Sequence, residues 1–266
     1  VVLRRMVEAF ADCLDVQEYL GEVLLARRDS GAVEVFARLH ERQPQRRDVF
    51  DQLCAALIVS GQREEVLRRF DQYYAGILPP ASYHQQLSHL YVYLSDLPGA
   101  IAQLEQAEAL RPSPDIWREL VELNARQKEY DRAARYAGML VQAAPEDSEY
   151  RRLHVAYLAT AERRQELVVA LERFVEKWPE DIGMWVELAD AYDWVEDYGT
   201  ELRVAQRLAT AAPGQAAHRA RLARVLAALD EPSQAAAIYA QLLQEDQTSD
   251  IYRLGLQQAV LEAPQD

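Results

Sequence analysis

Prolines stand at positions 44, 79, 112, 145, 179 and 213, separated by 35, 33, 33, 34 and 34 residues. Proline lacks the N–H that would continue a helical ladder, and its ring crowds the preceding turn. It therefore settles where one helix stops and the next begins. A stop recurring at this interval cuts the chain into units of one size. Such a unit holds two short helices but is too small to bury a core alone. The chain is expected to consist of helix pairs that share burial with their neighbours.

Within the units, apolar residues follow the helical period. In the stretch WVELADAYDWVEDY, residues 185–198, Trp185, Leu188, Ala189 and Tyr192 share one face, while Asp190, Asp193 and Asp197 form a neighbouring stripe beside Trp194. Trp185-x-x-Leu188-Ala189-x-x-Tyr192 has partial counterparts in Trp117-x-x-Leu120 and Leu87-Ser88-x-x-Tyr91. Further variants are Leu20-Gly21-x-x-Leu24 and Leu222-Ala223-x-x-Leu226. Second helices carry Ala32, Ala100, Ala133 or Ala235, followed four residues later by Phe36, Leu104, Ala137 and Tyr239. A small residue there lets two helices approach closely. Period, first-helix pattern and small residue together resemble the tetratricopeptide repeat over essentially the whole chain.

That resemblance implies an all-α fold, a right-handed superhelical solenoid of stacked antiparallel helix pairs. Residues 1–266 are expected to form one solenoid without separate domains. A leading helix is expected at 1–11, seven pairs beginning near 15, 47, 81, 114, 147, 181 and 215, and a partnerless helix at 248–261. The chain opens without Met inside an amphipathic pattern, and neither end shows a polar capping helix, as expected of a piece of a longer array. Ser113 before Pro114 and Asp96 before Pro98 read as N-caps, and Gly61 as a left-handed helix end. Val66 and Leu167 replace the small residue. Glu201 falls on the same site, so the sixth hairpin is expected to be splayed or out of register.

Composition narrows the function. With 43 acidic and 29 basic residues the net charge is −14, which argues against binding a phosphate backbone. Residues 72–95 carry no charge, but Pro79-Pro80, Gln85 and Gln86 exclude a membrane span there. Cys13 and Cys54 read as small buried hydrophobes. His40, His84, His89, His154 and His218 show no metal-ligand spacing, and His84 sits where other repeats pack a tryptophan. No phosphate loop, nucleophile elbow or HExxH stretch occurs. The carboxylates of 187–197 lie along one helix with no turned loop to wrap a cation. Neither catalysis nor a cofactor or metal is expected.

Binding is what remains. The resemblance implies that first helices line a concave groove. Carried over residue by residue, this places Gln85, His89, Tyr93, Arg118, Glu122, Arg126, Asp190, Asp193, Trp194 and Arg224 in the groove, with Asp51, Ala55, Arg151, Val155, Val186 and Ala220 beside them. These positions lack the Lys and Asn of chaperone-tail clamps. They also lack the asparagine ladder of the Ser/Thr glycosyltransferase, since Asn124 is the sole Asn. An acidic-aromatic groove suits a cationic peptide, an Arg-bearing protein face or a positively charged polymer. Alternatively, Asp190 and Asp193 simply keep the surface solvated. On the groove reading, Asp190→Arg with Asp193→Arg is expected to spare the helical fold and weaken cationic ligands.

Arginine in place of lysine, strong acidity and a divergent array also resemble the periplasmic scaffold region of bacterial exopolysaccharide exporters, the Pel type above all. That resemblance implies docking of a polysaccharide deacetylase or hydrolase and guidance of a cationic polysaccharide. Membrane attachment would come only through parts of a parent protein outside this chain. The competing expectation is a cytoplasmic adaptor or regulatory module that binds a protein or peptide.

Overall fold

The computed structural model describes residues 5, 13–74 and 76–263, so the leading helix expected at 1–11 falls almost wholly outside the described residues. All regular structure among them is α-helical. They fall into two compact units, Val1–Gln127 and Lys128–Asp266. The first contains α1 (Leu14–Ala26), α2 (Gly31–Arg42), α3 (Arg47–Val59), α4 (Arg63–Tyr74), α5 (Pro80–Tyr93), α6 (Leu97–Leu110) and α7 (Pro114–Arg126). The second contains α8 (Tyr130–Ala143), α9 (Ser148–Thr160), α10 (Arg164–Lys177), α11 (Ile182–Trp194), α12 (Tyr198–Ala211), α13 (Ala216–Ala228), α14 (Pro232–Glu245) and α15 (Asp250–Glu262). First helices begin at Leu14, Arg47, Pro80, Pro114, Ser148, Ile182 and Ala216, each within one residue of its expected start.

Local chemistry sets these boundaries. Asp96 caps α6 by accepting from Gly99 N at 2.9 Å, and Ser113 caps α7 by accepting from Ile116 N at 3.4 Å. First helices end alike. Arg28, Gly61, Ser95, Lys128, Glu162, Glu196 and Asp230 all have φ between 54° and 71°. The amides around them bond back in the Schellman pattern, for example Arg163 N to Leu158 O at 2.9 Å and Glu162 N to Ala159 O at 3.0 Å. Only one of these left-handed residues is glycine, so Gly61 was the only one visible in the sequence.

Each unit has its own core. In the first, Leu20, Leu24, Phe36, Phe50, Leu53 and Leu57 are almost fully buried. In the second, Leu171, Phe174, Leu188, Tyr192 and Leu208 build one cluster, and Ala223, Ala235, Tyr239 and Leu242 another. Ala32, Ala100, Ala133 and Ala235 are all no more than 1 % exposed, as close approach of two helices requires. Val66 and Leu167 are buried at the same site.

Glu201 is a correction. The hairpin of α11 and α12 is in register, and Glu201 occupies the small-residue site with none of its surface exposed. Its Oε1 accepts from Arg221 Nη1 at 3.3 Å and Arg224 Nη2 at 2.8 Å, both on α13. Cations from the next pair let the carboxylate stay at a site that other pairs fill with an apolar side chain. Cys13 is the second correction: it is exposed ahead of α1, whereas Cys54 is buried.

Candidate functional site

In the first unit, α3, α5 and α7 each turn one stripe toward a cleft of about 860 Å³. From α3 come Asp51, Cys54, Ala55 and Ile58; from α5, Gln86, His89, Leu90 and Tyr93; from α7, Glu119, Glu122, Leu123 and Arg126. Spacings of three, four and seven residues keep a stripe on one helix face. Phe50, Phe70 and Tyr74 reach the cleft from the core, so its floor is mainly apolar. Tyr93 stands 75 % exposed at the mouth.

The polar groups differ in how far they are committed. Arg47 donates to Gln86 Oε1 at 3.2 Å and lies 3.7 Å from Asp51. Burial pushes the Asp51 carboxyl above its ordinary pKa, with Arg47 opposing. Burial likewise pushes the Cys54 thiol up to about 12, so it behaves as an apolar wall. Glu119 accepts from Gln85 Nε2 at 2.6 Å and meets His89 Nε2 at 3.0 Å. That hydrogen bond raises the His89 pKa, partly offset by burial. Ser88 lines the cleft fully buried, its hydroxyl without a partner. Glu122 and Arg126, one turn apart on α7 and exposed, make no ion pair among the described residues.

Six residues expected in the groove, Asp51, Ala55, His89, Tyr93, Glu122 and Arg126, therefore line one cleft. Gln85 and Arg118 do not. Gln85 braces Glu119, and Arg118 lies 59 % exposed, 3.6 Å from Asp115. Gln86 and Glu119, which the expectation missed, take their places. The sequence assignment stepped by four residues, and eight residues turn a helix about 80° past two full turns, whereas seven fall only about 20° short. The true stripes are 86, 89, 93 and 119, 122, 126.

The second unit arranges its expected residues otherwise. Asp190 on α11 forms an ion pair with Arg221, and Asp193 meets Arg224 Nη1 at 2.6 Å. The same two arginines hold Glu201, giving one network of three carboxylates and two guanidiniums. Asp190 and Asp193 are thus answered by cations of this chain. Trp194 is half-buried, covered by the Arg164 guanidinium 4.5 Å from its ring. Trp185, Leu188, Ala189 and Tyr192 pack into the core as expected. Arg151, placed in the groove from sequence, is buried. Its guanidinium lies 3.8 Å over the Trp178 ring, and Nη1 donates to Pro145 O at 2.8 Å. Among the described residues, no group of three His, Cys, Asp or Glu side chains is placed to hold a metal, and no helix is long and apolar enough to cross a membrane.

Comparison with known proteins places this geometry in context. Residues 86–148 match the tetratricopeptide repeat family. No curated protein matches the sequence. Among solved structures, a chain of the Naa15/Naa10 complex bound to HypK-THB superposes with a TM-score of 0.65 at 16 % identity, over 93 % of this chain and 39 % of that one. This chain thus spans well under half of that protein. The C-terminal part of a TPR repeat-containing protein from Cytophaga hutchinsonii gives a TM-score of 0.49 at 13 % identity, over 90 % of this chain and 99 % of that one. YrrB, described as a TPR protein with an unusual peptide-binding site, gives 0.49 at 13 % identity, over 71 % and 97 %.

Proposed function

We propose that this chain, which matches the tetratricopeptide repeat family over residues 86–148 and continues in helix pairs on either side of that stretch, is a non-catalytic interaction scaffold. Its first unit takes an extended segment of a partner protein into the cleft between α3, α5 and α7. The observation that carries this reading is the convergence of three first-helix stripes on an apolar floor, with Glu122 and Arg126 at the rim in no ion pair among the described residues. An apolar side chain of the partner fits against Cys54, Ile58, Leu90 and Tyr93. Arg126 is free to donate to the partner's carbonyl or carboxylate groups, and Glu122 to accept from its amides or cations. A protein assembly also figures in the Naa15/Naa10 structure of similar fold.

Peptides selected from a random library on the wild-type protein test the proposal. Their affinity should fall on the order of tenfold or more in the double variant Tyr93→Ala, Arg126→Ala. Selected peptides that bind the double variant equally well would refute it.

A finer reading makes this chain part of an envelope scaffold for exopolysaccharide export, supported by the acidic composition and the arginine bias. Within that reading, the answered charges of Asp190 and Asp193 favour docking of a polymer-modifying protein over guidance of a cationic polymer. A signal peptide upstream and amphipathic β-strands downstream in the parent gene would support it. A cytoplasmic output domain there would instead favour an adaptor or regulator.

A further inference from the structure

The second unit carries a separate cleft of about 630 Å³ between α8 and α10, floored by α9. It lies on second helices and shares no residue with the cleft of the first unit. Small residues open it: Ala134 and Gly138 on α8 face Ala170 on α10. A Cβ on Gly138 would come within 3.2 Å of His154 Nε2, so glycine gives the imidazole its place. Leu158 and Phe174 complete an apolar floor. Burial lowers the His154 pKa, and its Nδ1 is buried without a hydrogen-bond partner.

The rim carries the opposite sign to the chain as a whole. Arg132, Arg135, Arg163 and Arg173 line it, against only Asp131 and Glu166. Arg163 engages both of those carboxylates, meeting Asp131 Oδ1 at 2.8 Å and pairing with Glu166. The acids are consequently spent on one arginine. Arg135 lies over the ring of its neighbour Tyr136 at 4.7 Å, and Arg173 is exposed with no ion pair among the described residues. In a chain of net charge −14, an excess of guanidinium around an apolar trough is a local reversal.

We propose that this cleft is a second docking site, for an acidic peptide segment that seats one aromatic or large aliphatic side chain on the Leu158–Phe174 floor. Its flanking carboxylates pair with Arg135 and Arg173. An apolar trough of this size accepts a side chain, whereas a nucleic acid strand needs a continuous cationic track and is repelled by the surrounding negative charge.

The test uses the whole chain and a fluorescein-labelled peptide of Glu residues flanking a single Phe, read by anisotropy. The Glu-rich peptide should bind. Replacing its Phe by Ser, or its Glu by Lys, should each weaken it on the order of tenfold or more. The exposed pair Arg135→Glu, Arg173→Glu should do the same while keeping the helical circular dichroism. Tyr93→Ala with Arg126→Ala should leave this binding unchanged, which separates the site from the first-unit cleft. Absence of binding, equal binding of the Lys peptide, survival of binding in the reversed-charge variant, or preference for a single-stranded oligonucleotide would each overturn the proposal.

Discussion

Glu201 lies with its Oε1 2.8 Å from Arg224 Nη2, fully enclosed at the site where Ala32, Ala100, Ala133 and Ala235 stand in other pairs. The pair is asymmetric. Arg224 retains Asp193, and Arg221 retains Asp190, whereas Glu201 has no cations besides these two among the described residues. Arg221→Met with Arg224→Met should therefore cost about 3–5 kcal/mol at neutral pH, because it strands a buried carboxylate. Glu201→Gln should change stability by about 1 kcal/mol or less. Burial raises the Glu201 pKa above its ordinary 4.5. The folded chain then holds the proton more tightly, so this contribution is present at low pH and lost as pH rises through the folded pKa. The deficit of the double Met variant should shrink on acidification, as urea unfolding at two pH values would reveal.

The same network changes what charge reversal does. Asp190→Arg with Asp193→Arg gathers four guanidiniums around one buried carboxylate. The variant should lose stability measurably in a thermal melt, even where its helical circular dichroism at ambient temperature stays intact. An unchanged midpoint would mean that the network carries little weight.

Gly21 on α1 and Phe36 on α2 touch so closely that a Cβ on Gly21 would meet Phe36 Cζ at 2.8 Å. Ordinarily Gly→Ala within a helix gains about 1 kcal/mol. Here the ring is buried and cannot yield, so Gly21→Ala should instead destabilise by about 1–3 kcal/mol. Adding Phe36→Leu should recover part of the loss in denaturant titration.

The left-handed turn residues offer a gain. Glu162 has φ of 55°, a conformation that costs a side-chain-bearing residue about 1–2 kcal/mol and glycine little. After the extra unfolded-state entropy of glycine, Glu162→Gly should stabilise by up to about 1 kcal/mol. A chemical denaturation curve shifted the other way would contradict the turn geometry.

Histidine titration should split in two directions. The hydrogen bond to Glu119 raises His89 above its ordinary 6.5, so its stabilising contribution is present below about 6.5 and lost as pH rises through the folded pKa. His40 and His154 are lowered, chiefly by burial. Their contributions are present above 6.5 and lost as pH falls through the folded values. Proton NMR should give His89 a higher midpoint than His40 and His154, and His89→Gln should remove the decline on the alkaline side.

The legibility of the chain follows from what repeats in it. Prolines, and alanines in four of the pairs, recur because the pairs meet a common steric demand, and they place the helix starts to within a residue. The left-handed turns repeat just as regularly in space, yet Arg28, Ser95, Lys128, Glu162, Glu196 and Asp230 are ordinary polar residues of both charge signs, and none is the glycine or asparagine that signals such a turn. Of the groove positions read from sequence, Asp51, Ala55, His89, Tyr93, Glu122 and Arg126 line one cleft, whereas the four-residue stride carried Gln85 and Arg118 off its stripes. In the second unit, Asp190 and Asp193 looked unengaged because their partners, Arg221 and Arg224, come 31 residues later in the chain. Pairing across nearly a full repeat is invisible to a reading that takes one helix at a time.

The enclosed carboxylate of Glu201 makes the sixth hairpin a debtor to the seventh. A chain ended after Ala212 would keep both helices of that hairpin but lose the guanidiniums that neutralise it. The array therefore cannot be shortened from its C-terminal side at any joint with equal ease, and evolution or engineering that removes α13 must first replace that acid.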